Sequence, residues 1–229
     1  MRIITGSRRG RKLKTLPGDA VRPTPDRVKE ALFNILQFDL EGRVFLDLFA
    51  GSGQIGLEAL SRGAKRAVFV DSAKASCGVV LENIHTTGFE NEAQVMNAEY
   101  ASYLLRCTET FDIAFLDPPY RTGTLTKALL AVTPHMNRGG IVICEHPTDE
   151  ELPESMWENS RQEFIVVSHP KNTFTSNTRI ELMAGDYVME SGNTRIFIDD
   201  FYIFRLRWYD YDDLFGGLPW EQQKNESGK

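Results

Sequence analysis

The chain has 229 residues, 41% apolar and 25% charged, with a net charge of −6. That composition suits a globular protein with a substantial core. No apolar run approaches the ~18 residues of a membrane helix, the Arg-rich start lacks the apolar stretch of a secretory signal, and Cys77, Cys107 and Cys144 lie too far apart to suggest a disulfide framework or a zinc site, which points to a reducing cytoplasm.

The total charge conceals an asymmetry. Residues 1–29 carry nine Lys or Arg against Asp19 and Asp26, a local balance of +7 that leaves −13 on the remainder. Phosphate binding answers to local field rather than to the sum, so Arg2, Arg8, Arg9, Arg11, Lys12, Lys14 and Arg22 are candidate nucleic-acid contacts. The competing reading is a solvated basic arm.

In chain order, residues 1–16 predict a short hairpin turning through Gly6 to Gly10, and Pro17-Gly18-Asp19 a turn. Thr24-Pro25-Asp26 predicts a helix start with Thr24 as cap, and Val28, Ala31, Leu32, Ile35 and Leu36 then recur at helical spacing. From Arg43, strands near 43–48, 67–71, 93–96, 111–116 and 140–145 alternate with helices near 54–62, 73–86, 99–107, 123–134 and 149–158. Such a series predicts an α/β fold with a parallel sheet covered on both faces and ligands beyond the carboxyl ends of the strands. Beyond Glu163, a strand near 164–167 and two β-rich runs at 179–189 and 194–208 predict a terminal antiparallel hairpin. The organisation expected is a basic hairpin and helix at 1–40, a main domain at 41–208 and a frayed polar tail at 209–229.

Two bends carry the chemistry. After the first strand, Gly51, Gly53 and Gly56 satisfy G-x-G-x-x-G, and Asp71 ends the second strand 20 residues beyond Gly51. A dinucleotide-binding dehydrogenase shows the same marks, and on the glycines alone the two readings are nearly even. Asp47, four residues before Gly51, separates them, because its carboxylate attracts the ammonium of S-adenosylmethionine but repels the pyrophosphate of NAD. After the fourth strand comes Asp117-Pro118-Pro119-Tyr120, a stiff turn offering a carboxylate, a carbonyl outside any ladder and a flat ring. That set suits a planar base with an exocyclic amine: two acceptors for its hydrogens and a ring to stack on it. The bland readings are a tight turn for the glycines, a helix cap for Asp71 and a rigid loop for the prolines.

These residues resemble the RsmD-type methyltransferases, which methylate the N2 amino group of a guanine in 16S ribosomal RNA. The match lies in Met1-Arg2-Ile3-Ile4, Gly10-Arg11-Lys12-Leu13, Arg22-Pro23-Thr24, the run from Asp26 to Leu36, Asp47-Leu48-Phe49-Ala50-Gly51-Ser52-Gly53, the run from Gly56 to Ala64, and Leu116-Asp117-Pro118-Pro119-Tyr120. The resemblance implies a Rossmann-like S-adenosylmethionine-dependent fold with a mostly parallel seven-stranded sheet. It implies that Asp47, Gly51 and Gly53 hold the methionine part of the cofactor, Asp71 the ribose and the residues around Asn97-Ala98-Glu99 the adenine, with Phe49, Ser52 and Ser72 completing the set. Asp117, Pro118, Pro119 and Tyr120 would form the target-base site, with no metal. The partner implied is 16S rRNA in a partly assembled small subunit, with no membrane; the oligomeric state is left open. Asn97-Ala98-Glu99 departs from the family's more usual acid followed by a small residue, and 168–189 and 209–229 read as an insertion and an added tail. The alternatives are an adenine-N6 or cytosine-N4 methyltransferase and a non-catalytic RNA-binding assembly factor.

Overall fold

The computed structural model describes residues 1–16, 24 and 26–145 with their side chains, and the backbone of 157–158, 162–168, 180–181, 188–189 and 201–208. Arg22, the Pro17-Gly18-Asp19 turn, the predicted helix at 149–156, the 190–193 linker and the tail at 209–229 lie outside the described residues.

The chain opens on the expected hairpin. Ile3 N–H donates to the Arg11 carbonyl at 2.9 Å and Leu13 N–H to that of Met1 at 3.2 Å, with a single antiparallel bridge between Arg2 and Lys12. Helix α1 (Asp26–Ile35) follows. Ile3, Leu13, Leu32, Phe33 and Leu36 are buried in the same cluster as Phe45, Ile55 and Leu57, so the arm and α1 share a core with what comes after them. A buried polar knot fastens this join. Glu58 accepts the N–H groups of Ile4 and Thr5 at 2.7 and 3.0 Å and Arg62 Nε at 2.8 Å, while Lys29 Nζ donates to the Arg2 carbonyl at 2.7 Å and lies 3.8 Å from Glu58. Burial lowers the Lys29 pKa and Glu58 opposes the shift, since an ammonium without water needs a nearby carboxylate.

Strands and helices then alternate: β1 (Val44–Asp47), α2 (Gln54–Ser61), β2 (Arg66–Asp71), α3 (Lys74–Thr87), β3 (Ala93–Asn97), α4 (Tyr100–Arg106), β4 (Phe111–Leu116), α5 (Thr124–Val132) and β5 (Met136–Glu145). The five strands pair in parallel in the order β3-β2-β1-β4-β5. Their apolar runs are continuous because both faces are covered, and the two-residue period of a strand deals alternate side chains to each. Phe45, Ala67, Phe69, Ile113, Phe115, Ile141 and Ile143 meet α1, α2, α3 and the arm on one face. Leu46, Val68, Val70, Ala114, Leu116, Val142 and Cys144 meet α4 and α5 on the other.

The later strands are β6 (Trp157–Glu158), β7 (Gln162–Ser168), β8 (Ile180–Glu181), β9 (Val188–Met189) and β10 (Phe201–Trp208). β10 enters antiparallel between β5 and β7, and β6 pairs on β7, giving a sheet of eight strands among the described residues where seven were expected; β6 is a two-residue edge. Two further expectations are corrected. Trp157 and Glu158 are a strand and not the end of a helix. The runs at 179–189 and 194–208 do not form one hairpin, because β8 and β9 pair with each other while β10 satisfies its ladder against β5 and β7.

Candidate active site

The first bend is shaped by its glycines. Gly51 and Gly53 have φ of 53° and 75°, a left-handed backbone that side chains resist. Gly56 serves differently: a Cβ there would lie 2.3 Å from the Phe69 ring, so its absence lets α2 sit tightly on β2. Two carboxylates hold this geometry. Asp47, 1% exposed, accepts the Gly56 N–H at 3.1 Å. Asp71 accepts the N–H groups of Gly51 at 2.9 Å and Ala73 at 2.8 Å, which leaves each oxygen further lone pairs for a hydroxyl donor. Asp71 therefore orients the bend.

The second bend lies beside the first. Asp47 pairs level with Phe115, and Asp117 follows two residues later, at the end of the neighbouring strand. One cavity opens between them, lined by Thr15, Thr24, Asp47, Gly51, Gln54 and Asp117, with Phe49 and Ser52 also in its wall. Both carboxyls are pushed up to about 7. Burial is the main cause for Asp47, eased by the Gly56 N–H and reinforced by the Asp117 and Asp71 charges; burial is the cause for Asp117. Pro118 is buried, and its carbonyl accepts no hydrogen bond among the described residues. Tyr120 is 48% exposed, and its hydroxyl donates to Glu145 at 3.4 Å. Arg121 then takes φ 59°, unusual for a residue with a side chain, where the chain turns sharply after the tyrosine.

On the far side of Asp71, the Asn97 side-chain amide donates to the carbonyls of Asp71 and Ser72, each at 3.0 Å, and Ala98 N–H also reaches the Asp71 carbonyl, at 3.1 Å. Glu99 caps α4 by accepting from Ala101 and Ser102. The Phe49 and Tyr100 rings meet at 5.3 Å, forming an aromatic wall. Ser52 turns its hydroxyl toward the Met1 sulfur at 3.7 Å.

A family model described as Conserved hypothetical protein 95 matches residues 1–166. The chain belongs to that RsmD-type family. YlbH of Bacillus subtilis is 42% identical to it over 162 residues, 68% of this chain and 88% of that protein. Ribosomal RNA small subunit methyltransferase D of Haemophilus influenzae is 38% identical over 157 residues, 66% of this chain and 81% of that one. Among solved structures, a Thermus thermophilus protein is 34% identical, with 69% of this chain and 94% of that one covered at a TM-score of 0.59. The fold is the Rossmann-like fold of methyltransferases.

The basic residues of this RsmD-type chain divide into two groups. Arg8 donates from Nε to the Thr87 carbonyl at 2.6 Å and lies over the Phe89 ring at 5.1 Å, so its guanidinium clamps the arm to α3. Arg2 pairs with Asp26 at 3.1 Å and Lys14 pairs with Glu82. Arg9, Arg11 and Lys12 are exposed around the hairpin turn. Sequence reasoning missed Gln54, Thr15 and Glu145, and read Thr24 only as a helix cap. Thr24 is buried in the cavity wall and donates to Glu145 at 3.4 Å. Gln54 had a visible signal, a long polar side chain inside a bend of small residues; Thr15 and Glu145 had none.

Proposed function

We propose that this chain transfers a methyl group from S-adenosylmethionine to the exocyclic N2 of a guanine in 16S ribosomal RNA, within a partly assembled small subunit in the cytoplasm. One observation carries the reading: Asp47, from the glycine bend, and Asp117, from the proline bend, line a single cavity at adjacent strand ends. The relatives named as rRNA methyltransferases support the substrate class.

The residues present fit the cofactor. Open space surrounds the Cβ position of Gly51 in the cavity wall, Asp71 keeps lone pairs for ribose hydroxyls, Phe49 and Tyr100 offer an aromatic wall, and the buried Gln54 carbonyl oxygen lacks any hydrogen-bond partner among the described residues. When bound, S-adenosylmethionine supplies an electrophilic methyl group on a sulfonium. Asp117 and the Pro118 carbonyl then accept the two hydrogens of the amine, which localises density on nitrogen and stabilises the charge that develops there. Tyr120 stacks on the base, swung out of its helix. Alignment supplies much of the rate, because an amine conjugated to its ring is a weak nucleophile.

Transfer of labelled methyl to small-subunit RNA, free and in particles, followed by nucleoside mass analysis and position mapping, tests the reading. N2-methylguanosine at one position is the expected product. N6-methyladenosine or N4-methylcytidine would replace it with another base specificity, and tight S-adenosylhomocysteine binding without turnover would leave an assembly factor.

A further inference from the structure

Gln54 is the first residue of α2 and is only 8% exposed. Its side chain lines the cavity between the two bends, and its Oε1 is buried without a hydrogen-bond partner among the described residues. A buried amide left unsatisfied loses its hydration with nothing in return, a penalty that ordinary cores avoid. Among the described residues no group donates to it, and the two carboxylates that share its cavity, Asp47 and Asp117, are acceptors when ionised.

We propose that Gln54 is a binding residue for the α-amino-acid end of the methyl donor, accepting from its ammonium through Oε1 and donating to its carboxylate through Nε2. The inference rests on the cofactor reading above and adds to it a residue and a division of labour. An amide is suited to this task because it carries an acceptor and a donor side by side, matching the two charges of a zwitterion whichever way its ends are turned. Its surroundings divide the same way. Asp47 supplies negative charge toward the ammonium, while the Thr15 hydroxyl and the amino end of α2 supply donors toward the carboxylate.

The test separates this end from the rest of the ligand. S-adenosylhomocysteine carries the amino-acid end, and 5′-methylthioadenosine has the same adenosine and thioether without it. Calorimetric titration of both into wild type, Gln54→Leu and Gln54→Ala is expected to show S-adenosylhomocysteine weakened about tenfold by either substitution, with 5′-methylthioadenosine unchanged within twofold; the retained binding also reports an intact pocket. Wild-type affinity for S-adenosylhomocysteine in both variants, or an equal loss for both ligands, would overturn the assignment. Failure of the wild type to bind either thioether would remove the cofactor reading itself, a distinct outcome.

Discussion

Asp117 and Asp47 have similar pKa values and different tasks, so substitution and pH separate them. In the proposed role Asp117 must carry its negative charge to stabilise the cation developing on the amine, and its pKa of about 7 means that acid neutralises it. The kcat at saturating cofactor is expected to fall as pH drops below 7, and Asp117→Asn to lower kcat by roughly 100-fold or more while changing S-adenosylhomocysteine affinity little; a variant with near wild-type turnover would refute the role. Asp47 bears on stability and, in the proposed site, on the cofactor. Its folded-state pKa lies far above the ordinary 3.8, so the folded chain holds that proton longer than the unfolded one. The stabilising contribution is complete below about 4 and is lost as pH rises through 7. Asp47→Asn keeps an acceptor for Gly56 and removes the buried charge, so it is expected to raise the melting temperature at pH 8 by roughly 3–10 °C, leave it nearly unchanged at pH 4, and weaken S-adenosylhomocysteine. Thermal melts at the two pH values decide this. At this scale the sequence showed the two carboxylates that line the cavity, because both end apolar strands beside turn-forming residues. It hid Glu145, whose approach to Thr24 and Tyr120 depends on three segments meeting.

The elements show why legibility stops where it does. Each of the first four parallel strands is a compact run followed by a helix, and the right-handed crossover leaves little freedom in how the five pair. β10 has no such connection. It lies between β5 and β7, and nothing in its one-dimensional pattern distinguishes that place from pairing with the run before it. β8 and β9 are two residues each, below what alternation can signal. The glycine bend was legible as a motif, but its three glycines turn out to do separate things. Gly51→Ala meets only backbone resistance, since open space surrounds its Cβ position. Gly56→Ala gains helix propensity of about 1 kcal/mol but drives a methyl into the Phe69 ring, where overpacking costs roughly 1–3 kcal/mol. With Phe69 fully buried and unable to retreat, a net loss of about 1–2 kcal/mol in denaturant unfolding is expected, together with weaker S-adenosylhomocysteine as α2 is displaced. Unchanged stability would mean that the ring can move aside.

For the molecule as a whole, the charge asymmetry visible in the first 29 residues becomes a question of which cations face solvent. The buried Lys29 serves Glu58 and the Arg2 carbonyl, and Arg8 fastens the hairpin to α3, so a count of basic residues overstates the field available to RNA. The hairpin is nonetheless rigidly placed. Gly6 packs against Ser61 so closely that a Cβ would sit 1.8 Å from its carbonyl oxygen, and the Ser7 N–H donates to that same oxygen at 2.7 Å. A docked turn presenting Arg9, Arg11 and Lys12 holds its charges in fixed register, whereas a free tail would have to be ordered on binding. The two groups of cations then respond oppositely. Neutralising Arg9, Arg11 and Lys12 together is expected to leave the melting temperature nearly unchanged and to reduce the slope of log affinity against log salt by roughly two to three. Arg8→Ala is expected to lower stability by about 1–2 kcal/mol, through a lost charged hydrogen bond and ring contact, with the salt slope kept. RNA binding measured from 50 to 300 mM salt, beside thermal melts, reads both effects. A triple variant with an unaltered slope would move the phosphate contacts off the hairpin turn, and an Arg8 variant that lost slope without losing stability would return that residue to the RNA-binding set.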